Sequence, residues 1–242
     1  MNSIYKKCEN EKCYVKYDKN HNDYEIETLE YLKNNINVFQ FYLFSDNEYE
    51  HIKTLYNMIN PRNNSIILDM GCGTGEIGYI FKKINPTIEY IGITNSETQY
   101  KISSNKIKTI YGDYHNIPLK DKSVDIVVFF EAFGHGDAIT LLKEVKRVLK
   151  PGGLVFFKDF FSKGFTIYNK YWDYTFIGIP EFKNLVENLN FNIVKEIELP
   201  DNEDNKKKYS NFVNNSEVMV KLHNYLPKNK PTCPMCFYLI NY

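Results

Sequence analysis

Long hydrophobic runs are missing from this sequence. No stretch reaches the roughly 18 consecutive apolar residues that a membrane-spanning helix needs, so an integral membrane protein is not expected. The N-terminus, MNSIYKKCENEKCYVKYDKN, lacks the apolar segment of a signal peptide, and no leader is expected there. Net charge is missing as well, because 30 basic side chains balance 30 acidic ones. That balance argues against a generally basic nucleic-acid-binding protein.

Cysteine is scarce in this chain. Its five cysteines are odd in number, which favours reduced thiols in a cytoplasmic protein. Cys8 and Cys13 near the start, with Cys233 and Cys236 near the end, have spacings that would suit a four-thiolate zinc site. Because Pro234 lies inside the second pair, where a last strand should begin, we expect thiols there and no metal.

The length and apolar content of the chain predict one α/β domain. Its 242 residues are 43% hydrophobic, which is enough for a sizeable core. Helical periodicity covers residues 76–85 and 180–190, and a further helix starts with Asp137 as its N-cap and ends in a tight turn at Lys150–Gly153. Short apolar runs predict seven strands, over residues 65–69, 88–94, 107–111, 124–130, 154–159, 191–199 and 234–241.

The order of these elements predicts the sheet. Strands that alternate with helices form βαβ units and a parallel sheet. The last two predicted strands have no clear helix between them, which indicates an antiparallel pair at the end of the chain. The segment Asp201–Lys208 is a run of charged and amide side chains and is interpreted as a solvated loop.

A glycine-rich turn follows the first predicted strand. Residues 66–69 (IILD) run into Met70-Gly71-Cys72-Gly73-Thr74-Gly75, and a helix begins after the last glycine. Glycines allow the chain to turn tightly and to approach a ligand closely, and the start of the helix offers backbone N–H groups.

The spacing Gly73-x-Gly75-x-x-Gly78 also fits a dinucleotide-binding loop, but that pattern alone is weak. Asp69 would repel a pyrophosphate at close range, whereas it suits a ligand that carries an ammonium and a sulfonium. Thr94-Asn95, at the end of the second strand, also lacks the acid that would bind a ribose diol in a nicotinamide site.

Four segments in succession resemble one family. Residues 68–75 (LDMGCGTG) are similar to motif I of class I S-adenosylmethionine-dependent methyltransferases, and residues 111–119 (YGDYHNIPL) to their adenine-side motif. Residues 124–127 (VDIV) match the fourth strand of that family, and residues 149–153 (LKPGG) match the turn before the fifth. Because the four occur in family order and at family spacing, the resemblance is stronger than any single motif.

The resemblance implies a fold and a division of the chain. The fold is a doubly wound, mostly parallel seven-stranded sheet of the Rossmann-like methyltransferase type, with an antiparallel last strand and a helical N-terminal lid. Residues 1–242 would form a single domain. Within it, residues 1–45 would be the lid, 46–159 the cofactor-binding core, and 160–242 an acceptor-side insertion followed by the last strands.

The resemblance also implies S-adenosylmethionine as the cofactor, with S-adenosylhomocysteine as the product. Asp69 would hold the amino group of the methionine part, directly or through water. Asp113 would accept a hydrogen bond from the adenine N6, with Tyr114 beside the ring; the alternative for Asp113 is an ordinary acid after a strand. The glycine loop would border the methionine part through Gly71, Cys72, Gly73 and Gly75, where the Cys72 side chain serves for packing.

The end of the second strand departs from the commonest form of the family. Residues 92–99 (GITNSETQ) lack the acid that usually binds the ribose hydroxyls and are similar to the variant of cyclopropane-synthase-like, sterol, terpenoid and sugar methyltransferases. In that variant neutral groups meet the nucleoside, here Thr94, Asn95 and Gln99. This similarity favours small-molecule acceptors.

Polar side chains at the ends of the fourth and fifth strands are candidates for catalysis. Residues 131–135 (EAFGH) are similar to a segment of sterol C-methyltransferases and some sugar O-methyltransferases, in which a His and an Asp flank the acceptor hydroxyl. His135 and Asp159 would then remove a proton during O-methylation. The alternatives are a polar turn residue for His135 and a hydrogen-bonding strand-end acid for Asp159. Glu131 would orient cofactor or substrate, and Gly134 replaces the bicarbonate-binding Glu of cyclopropane synthases.

Aromatic residues are concentrated in residues 160–178, which follow the fifth strand. They are Phe160, Phe161, Phe165, Tyr168, Tyr171, Trp172, Tyr174 and Phe176. We expect two or three of them to reach an acceptor pocket for an apolar or ring-containing substrate, although ordinary core packing is the alternative. Residues 39–46 (FQFYLFSD) are expected to form part of a lid that excludes water.

The sequence therefore predicts a cytoplasmic enzyme, monomeric or homodimeric, that methylates a small molecule at oxygen or carbon. A methyltransferase of RNA or protein is an alternative, but no basic face and no Asn-Pro-Pro-Tyr-like motif supports it. A non-catalytic S-adenosylmethionine-binding module is a second alternative. We expect no nucleic-acid partner.

Overall fold

The structure is a computed structural model. It describes residues 25–26, 28–29, 31–33, 37–38, 44–45, 47–169, 173–199 and 235–242. The helices are α1 (Glu48–Ile59), α2 (Glu76–Ile84), α3 (Glu97–Ser103), α4 (Ala138–Val148) and α5 (Ile179–Asn188). The strands are β1 (Ile66–Met70), β2 (Glu89–Thr94), β3 (Lys108–Tyr111), β4 (Val124–Phe130), β5 (Leu149–Phe160), β6 (Ile167–Asn169), β7 (Tyr174–Phe176), β8 (Asn192–Glu198) and β9 (Met235–Asn241).

Seven strands form one sheet in the order β3-β2-β1-β4-β5-β9-β8. The first five are parallel, and β9 runs antiparallel to both β5 and β8. The predicted doubly wound sheet with an antiparallel last strand is therefore confirmed. The order reverses between β1 and β4, and this is the point at which ligands bind in open α/β sheets.

Apolar side chains cover both faces of the sheet, which explains the nearly continuous apolar strands. On one face, Ile52 and Leu55 of α1 and Phe81 of α2 pack among buried sheet residues such as Phe156. On the other face, α4 and α5 supply Leu141, Leu142, Val145, Phe182 and Val186. The amphipathic helices thus bury their apolar sides against the strands, as predicted from their periodicity.

The start of α4 agrees with the prediction, but its end does not. The side chain of Asp137 accepts a hydrogen bond from the Thr140 backbone N–H at 2.8 Å and so caps the helix. The predicted turn at 150–153 is wrong, because β5 begins at Leu149 directly after the helix. Leu149 pairs with Val124 and Leu154 pairs with Ile126, so the intervening residues form an irregularity within the strand.

Two predicted segments lie wholly or largely outside the described residues. They are the charged segment 201–208 and most of the N-terminal part, 1–45. The division into lid, core and acceptor-side parts stays a prediction. Within the described ranges, none of the helices combines the length and the apolar character that crossing a membrane requires.

Candidate functional site

A cavity of about 200 Å³ opens at the carboxyl ends of β1, β2 and β4. Thr28, Tyr31, Asn37 and Val38 from the N-terminal part also line it. Of the residues predicted to form the site, it is lined by Asp69, Gly71, Cys72, Gly73, Thr94, Asn95, Gln99, Asp113, Tyr114, Glu131 and His135. Residues far apart in the sequence thus meet at the predicted position in the fold.

The glycine loop forms one wall of the cavity. Gly71, Gly73 and Gly75 all have positive φ angles, of 94°, 54° and 75°. A Cβ atom on Gly71 would lie 2.8 Å from the Cβ of Ala132, so glycine allows this loop to approach the end of β4. Gly75 does not line the cavity; it is the N-cap of α2, where a Cβ would meet Ser103 at 2.9 Å.

Asp69 is a buried carboxylate at the floor of the cavity. Its side chain is 1% exposed, and Oδ2 accepts a hydrogen bond of 2.9 Å from the Tyr90 hydroxyl. Oδ1 is buried and has no hydrogen-bond partner among the described residues. Burial raises the pKa of Asp69 to about 7, against the smaller opposing effect of the Tyr90 hydrogen bond. A carboxylate oxygen placed in this way fits an ammonium group.

Tyr90 is a site residue that sequence reasoning missed. It lies on β2, two residues before Gly92, which pairs with Asp69 in the sheet register. Its ring also sits where a side chain on Gly78 would lie, because a Cβ there would be 2.4 Å from the Tyr90 ring. Gly78 of the GxGxxG pattern therefore serves helix–strand packing.

Neutral side chains meet at the end of β2. The Thr94 hydroxyl donates to Gln99 Oε1 at 2.8 Å, and Gln99 Nε2 donates to the Thr28 hydroxyl at 3.0 Å. Ser96 caps α3 by accepting from the Gln99 N–H at 3.1 Å. These contacts place Gln99 at the cavity, and the carboxylate found near this end of β2 is that of Glu25, which accepts from the Ser96 hydroxyl at 2.8 Å.

Asp113 has a partner that the sequence analysis did not predict. His115 Nδ1 lies 2.6 Å from Asp113 Oδ1, and the His115 backbone N–H donates to the same oxygen at 2.8 Å. Burial alone would raise the pKa of Asp113, but the interactions with His115 outweigh it and lower the pKa. On the far side of the ring, Nε2 accepts from the Asp137 N–H at 2.9 Å.

Glu131 and Lys158 form an ion pair beside the cavity. The Lys158 ammonium is fully buried and donates to Glu131 Oε1, and the Glu131 N–H donates to the Lys158 carbonyl at 2.8 Å. Glu131 has a φ of 57°, an unusual conformation for a residue other than glycine. Burial lowers the pKa of Lys158, while Glu131 opposes that shift. The pair holds the Glu131 carboxylate at the cavity wall.

His135 lines the cavity, whereas Asp159 does not. The Asp159 carboxylate is 1% exposed and accepts from the backbone N–H groups of Phe133 and Phe160, both at 2.8 Å, and from the Tyr174 hydroxyl. Burial raises the pKa of Asp159 to about 8. Asp159 is thus held by three donors and is absent from the lining of this cavity, and its predicted place beside the acceptor stays a prediction.

The aromatic stretch 160–178 has no described aromatic side chain in the lining of this cavity, and its predicted part in an acceptor pocket stays a prediction. Phe161, Tyr174 and Phe176 are buried in packing contacts, whereas Phe165 and Tyr168 are exposed. The aromatic rings that do line the cavity come from elsewhere, namely Tyr31, Tyr114 and Phe130. Tyr171 and Trp172 lie outside the described residues.

Cys72 packs as predicted, since a Cβ on Gly92 would lie 2.5 Å from its sulfur. Cys236 is buried on β9, and Cys8, Cys13 and Cys233 lie outside the described residues. Phe44 of the predicted lid segment stacks on His51 with ring centroids 5.5 Å apart; Phe39 to Leu43 lie outside the described residues.

The central part of the chain is similar to known proteins. A family model described as a methyltransferase domain matches residues 68–157. Demethylmenaquinone methyltransferase of Thermotoga maritima is 33% identical over 132 residues, which are 50% of this chain and 58% of that protein. The corresponding protein of a Staphylococcus aureus strain is 36% identical over 102 residues and is covered to 42%. The chain thus spans about half the length of these curated relatives.

Solved structures share the fold over most of the chain. The [4+2]-cyclase SpnF superposes with a TM-score of 0.73 at 13% identity, covering 93% of this chain and 95% of that one. Geranyl diphosphate C-methyltransferase from Streptomyces coelicolor superposes with a TM-score of 0.65 at 13% identity, covering 80% of this chain and 79% of that one.

Residues 68–157 are thus the part of the chain that matches a methyltransferase domain. The fold of the chain is shared with solved structures that include a C-methyltransferase and a cyclase.

Proposed function

We propose that this protein transfers a methyl group from S-adenosylmethionine to a small organic molecule, at oxygen or carbon, by in-line displacement. One observation carries the proposal: a cavity at the sheet's reversal point is lined by Asp69, whose buried Oδ1 has no hydrogen-bond partner among the described residues, and by His135. The first fits the ammonium of a bound amino acid moiety, and the second fits a group that accepts a proton.

The residues present fit the proposed cofactor. It supplies a methyl group already activated on a sulfonium, so the protein mainly binds, aligns and excludes water. Asp69 would hold the ammonium, and the loop Gly71–Thr74 would border the amino acid part. Thr94, Asn95 and Gln99 would meet the ribose with neutral groups. Asp113 would accept from the adenine amino group, with Tyr114 beside the ring.

His135 is the proposed proton acceptor for a hydroxyl-bearing acceptor. Its ring lines the cavity and lies at the end of β4, next to the wall formed by Glu131 and Ala132. The cofactor would supply the methyl group and would leave with the electron pair of the broken carbon–sulfur bond, and His135 would take the proton of the acceptor hydroxyl. Glu131 would orient the acceptor or cofactor, and Asp159 is retained only as a positioning residue behind the site.

Binding of the product analogue is the first test. Calorimetric titration with S-adenosylhomocysteine should give micromolar affinity for the wild-type chain and none for NAD, which serves as the control ligand. Asp69→Asn should weaken binding at least tenfold, because it removes the charge that faces the ammonium but retains the shape. Asp121→Asn is a matched control, since that carboxylate is 70% exposed and lies on the Arg147 surface ion pair. NAD binding in place of S-adenosylhomocysteine would overturn the proposal.

Methyl transfer itself needs a separate test, because the fold also supports other chemistry: one structure that shares it is named as a cyclase. Incubation with methyl-labelled donor and a panel of hydroxylated, ring-containing small molecules should label an acceptor. His135→Ala should abolish labelling at oxygen, whereas C-methylation that survives this change would assign the reaction to carbon. Labelling of RNA or protein instead would favour the macromolecular alternative.

We also propose a cytoplasmic location and a monomer or homodimer. The reduced thiols expected from the cysteine pattern support the first proposal.

A further inference from the structure

A short hairpin lies against the proposed base. It consists of β6 and β7, which pair antiparallel outside the main sheet, in the connection between β5 and α5. We infer that this hairpin sets the tautomer of His135, with Asp173 and Tyr174 as positioning residues. The inference rests on the proposed function only in the role of His135, and it makes a claim about the imidazole that can be measured without cofactor or acceptor.

The hydrogen bond to the hairpin assigns the ring proton. His135 Nδ1 lies 3.2 Å from the backbone carbonyl oxygen of Asp173. A carbonyl oxygen only accepts, so Nδ1 must carry the hydrogen in this contact. In the neutral ring the lone pair is then on Nε2, the nitrogen that would accept a proton from an acceptor molecule.

Tyr174 fixes the plane of the imidazole. Its ring meets the His135 ring edge to face, with centroids 4.9 Å apart and an interplanar angle of 87°. The approach depends on Gly134, because a Cβ there would lie 2.3 Å from the Tyr174 ring. This explains physically why glycine stands directly before His135 in the turn Phe133–His135.

Asp159 joins the hairpin to the turn that carries the base. One of its oxygens accepts from the Tyr174 hydroxyl and the other from the Phe133 N–H at 2.8 Å. The carboxyl group therefore bridges the two segments whose relative position determines the contact between His135 and Asp173. In this way Asp159 acts on the base through the backbone, although it does not face the cavity.

The backbone at Asp173 is held in an unusual conformation. Its φ is 42°, a region that non-glycine residues rarely adopt and that Asp and Asn tolerate best. The Tyr168 hydroxyl donates to Asp173 Oδ1 at 2.5 Å, and Asp173 is 7% exposed. Such conformations persist where surrounding contacts hold them. At Asp173 this conformation directs the backbone carbonyl toward the ring of His135.

The test is nitrogen NMR of the full chain labelled at histidine, with the His135 signals assigned from a His135→Ala sample. In the wild type, Nδ1 should resonate as a protonated nitrogen and Nε2 as an unprotonated one above the ring's titration. Asp173→Val should increase the Nε2–H form severalfold, because a β-branched residue disfavours positive φ. Asp173→Asn should restore the wild-type pattern, since Asn tolerates that region.

Two tyrosine variants distinguish an effect of the hairpin on the His135 tautomer from a general effect of removing a tyrosine hydroxyl. Tyr168→Phe removes the hydroxyl that holds Asp173 and should shift the tautomer ratio in the same direction as Asp173→Val. Tyr79→Phe changes a partly exposed tyrosine on α2 that contacts Lys83 and should leave the ratio unchanged.

A wild-type ring that carries its proton mainly on Nε2, or a ratio that stays constant in all variants, would overturn the inference. Failure of the proposed function would appear elsewhere, as absence of S-adenosylhomocysteine binding in the unmodified chain. The two failures are therefore distinguishable.

Discussion

The imidazole of His115 donates from Nδ1 to the carboxylate of Asp113 across 2.6 Å. Its Nε2 accepts from the backbone N–H of Asp137, which fixes the direction of the first bond because a neutral ring has one donor and one acceptor. One histidine thus connects the loop after β3, where adenine would bind, with the start of α4, two residues beyond His135.

This contact predicts a loss of cofactor affinity when His115 is replaced. His115→Ala should weaken S-adenosylhomocysteine binding by about tenfold, roughly 1.4 kcal/mol, because His115 then no longer orients the Asp113 carboxylate or stabilises its negative charge. Calorimetry measures the change. Replacing S-adenosylhomocysteine by its inosine analogue, in which oxygen takes the place of the adenine amino group, should reduce affinity less in the variant than in the wild type. An equal reduction in both proteins would show that Asp113 does not recognise the adenine amino group.

Asp69 predicts a pH dependence of binding. Its pKa is raised to about 7 by burial, so the carboxyl group becomes increasingly protonated below that pH and cannot attract an ammonium. The dissociation constant of S-adenosylhomocysteine should rise by up to about tenfold for each pH unit below 7 and level off above it. Asp69→Asn should abolish this dependence, and a flat profile in the wild type would contradict the assignment.

The raised pKa of Asp69 also affects stability, but ionisation of this carboxyl group lowers the free energy of unfolding whereas it favours ligand binding. Because the folded-state pKa of Asp69 lies above its ordinary value of 3.8, folding becomes less favourable as the pH rises from that value through about 7. Asp69→Asn should therefore increase the free energy of unfolding at pH 8, by up to about 4 kcal/mol, while it weakens binding. Urea unfolding at pH 5 and pH 8 measures the difference, which should be less than half as large at pH 5, because most of the range between the two pKa values lies above that pH.

Two glycines with positive φ allow the cost of backbone strain to be measured separately from the cost of a side-chain clash. Gly71 and Gly152 have φ values of 94° and 76°. A Cβ on Gly71 would meet Ala132 at 2.8 Å, whereas no atom of the described residues lies within 4 Å of one on Gly152. Gly152→Ala should cost roughly 1 kcal/mol of unfolding free energy, and Gly71→Ala about 2 kcal/mol more. Only Gly71→Ala should also reduce S-adenosylhomocysteine binding. Equal effects of the two changes would show that the approach to Ala132 is unimportant.

Substitutions of Glu131 and Lys158 should have non-additive effects on the free energy of unfolding, because the two side chains form an ion pair. Glu131→Gln leaves the ammonium of Lys158, which is 0% exposed, without its ion-pair partner and should destabilise the fold by roughly 3 kcal/mol. Adding Lys158→Met should recover most of that loss, because the buried charge is then removed as well. Denaturant unfolding of both single variants and the double variant completes the cycle. Simple additivity would mean that the two groups do not depend on one another.

Local sequence patterns predicted most elements of the fold. The run VDIVVFF indicated a strand buried on both faces, and β4 spans those same residues. Asp137 indicated a helix start, and its side chain caps α4. These predictions held because periodicity and capping depend on residues a few positions apart.

The predicted turn at 150–153 was wrong for a related reason. Pro and Gly indicate a turn locally, but pairing with β4 keeps this segment in the strand as an irregularity.

The glycine loop, the acid before it and the small set of polar residues at strand ends could be predicted, since each follows from a local sequence pattern. Which of these groups line the cavity depends on the fold. Asp159 and His135 end neighbouring segments, yet one is enclosed by three donors and the other lines the cavity. Tyr90, His115 and the β6–β7 hairpin gain their roles from contacts with Asp69, Asp113 and His135. A side chain's partners, and with them its pKa and tautomer, depend on groups that the fold brings together from distant positions in the chain.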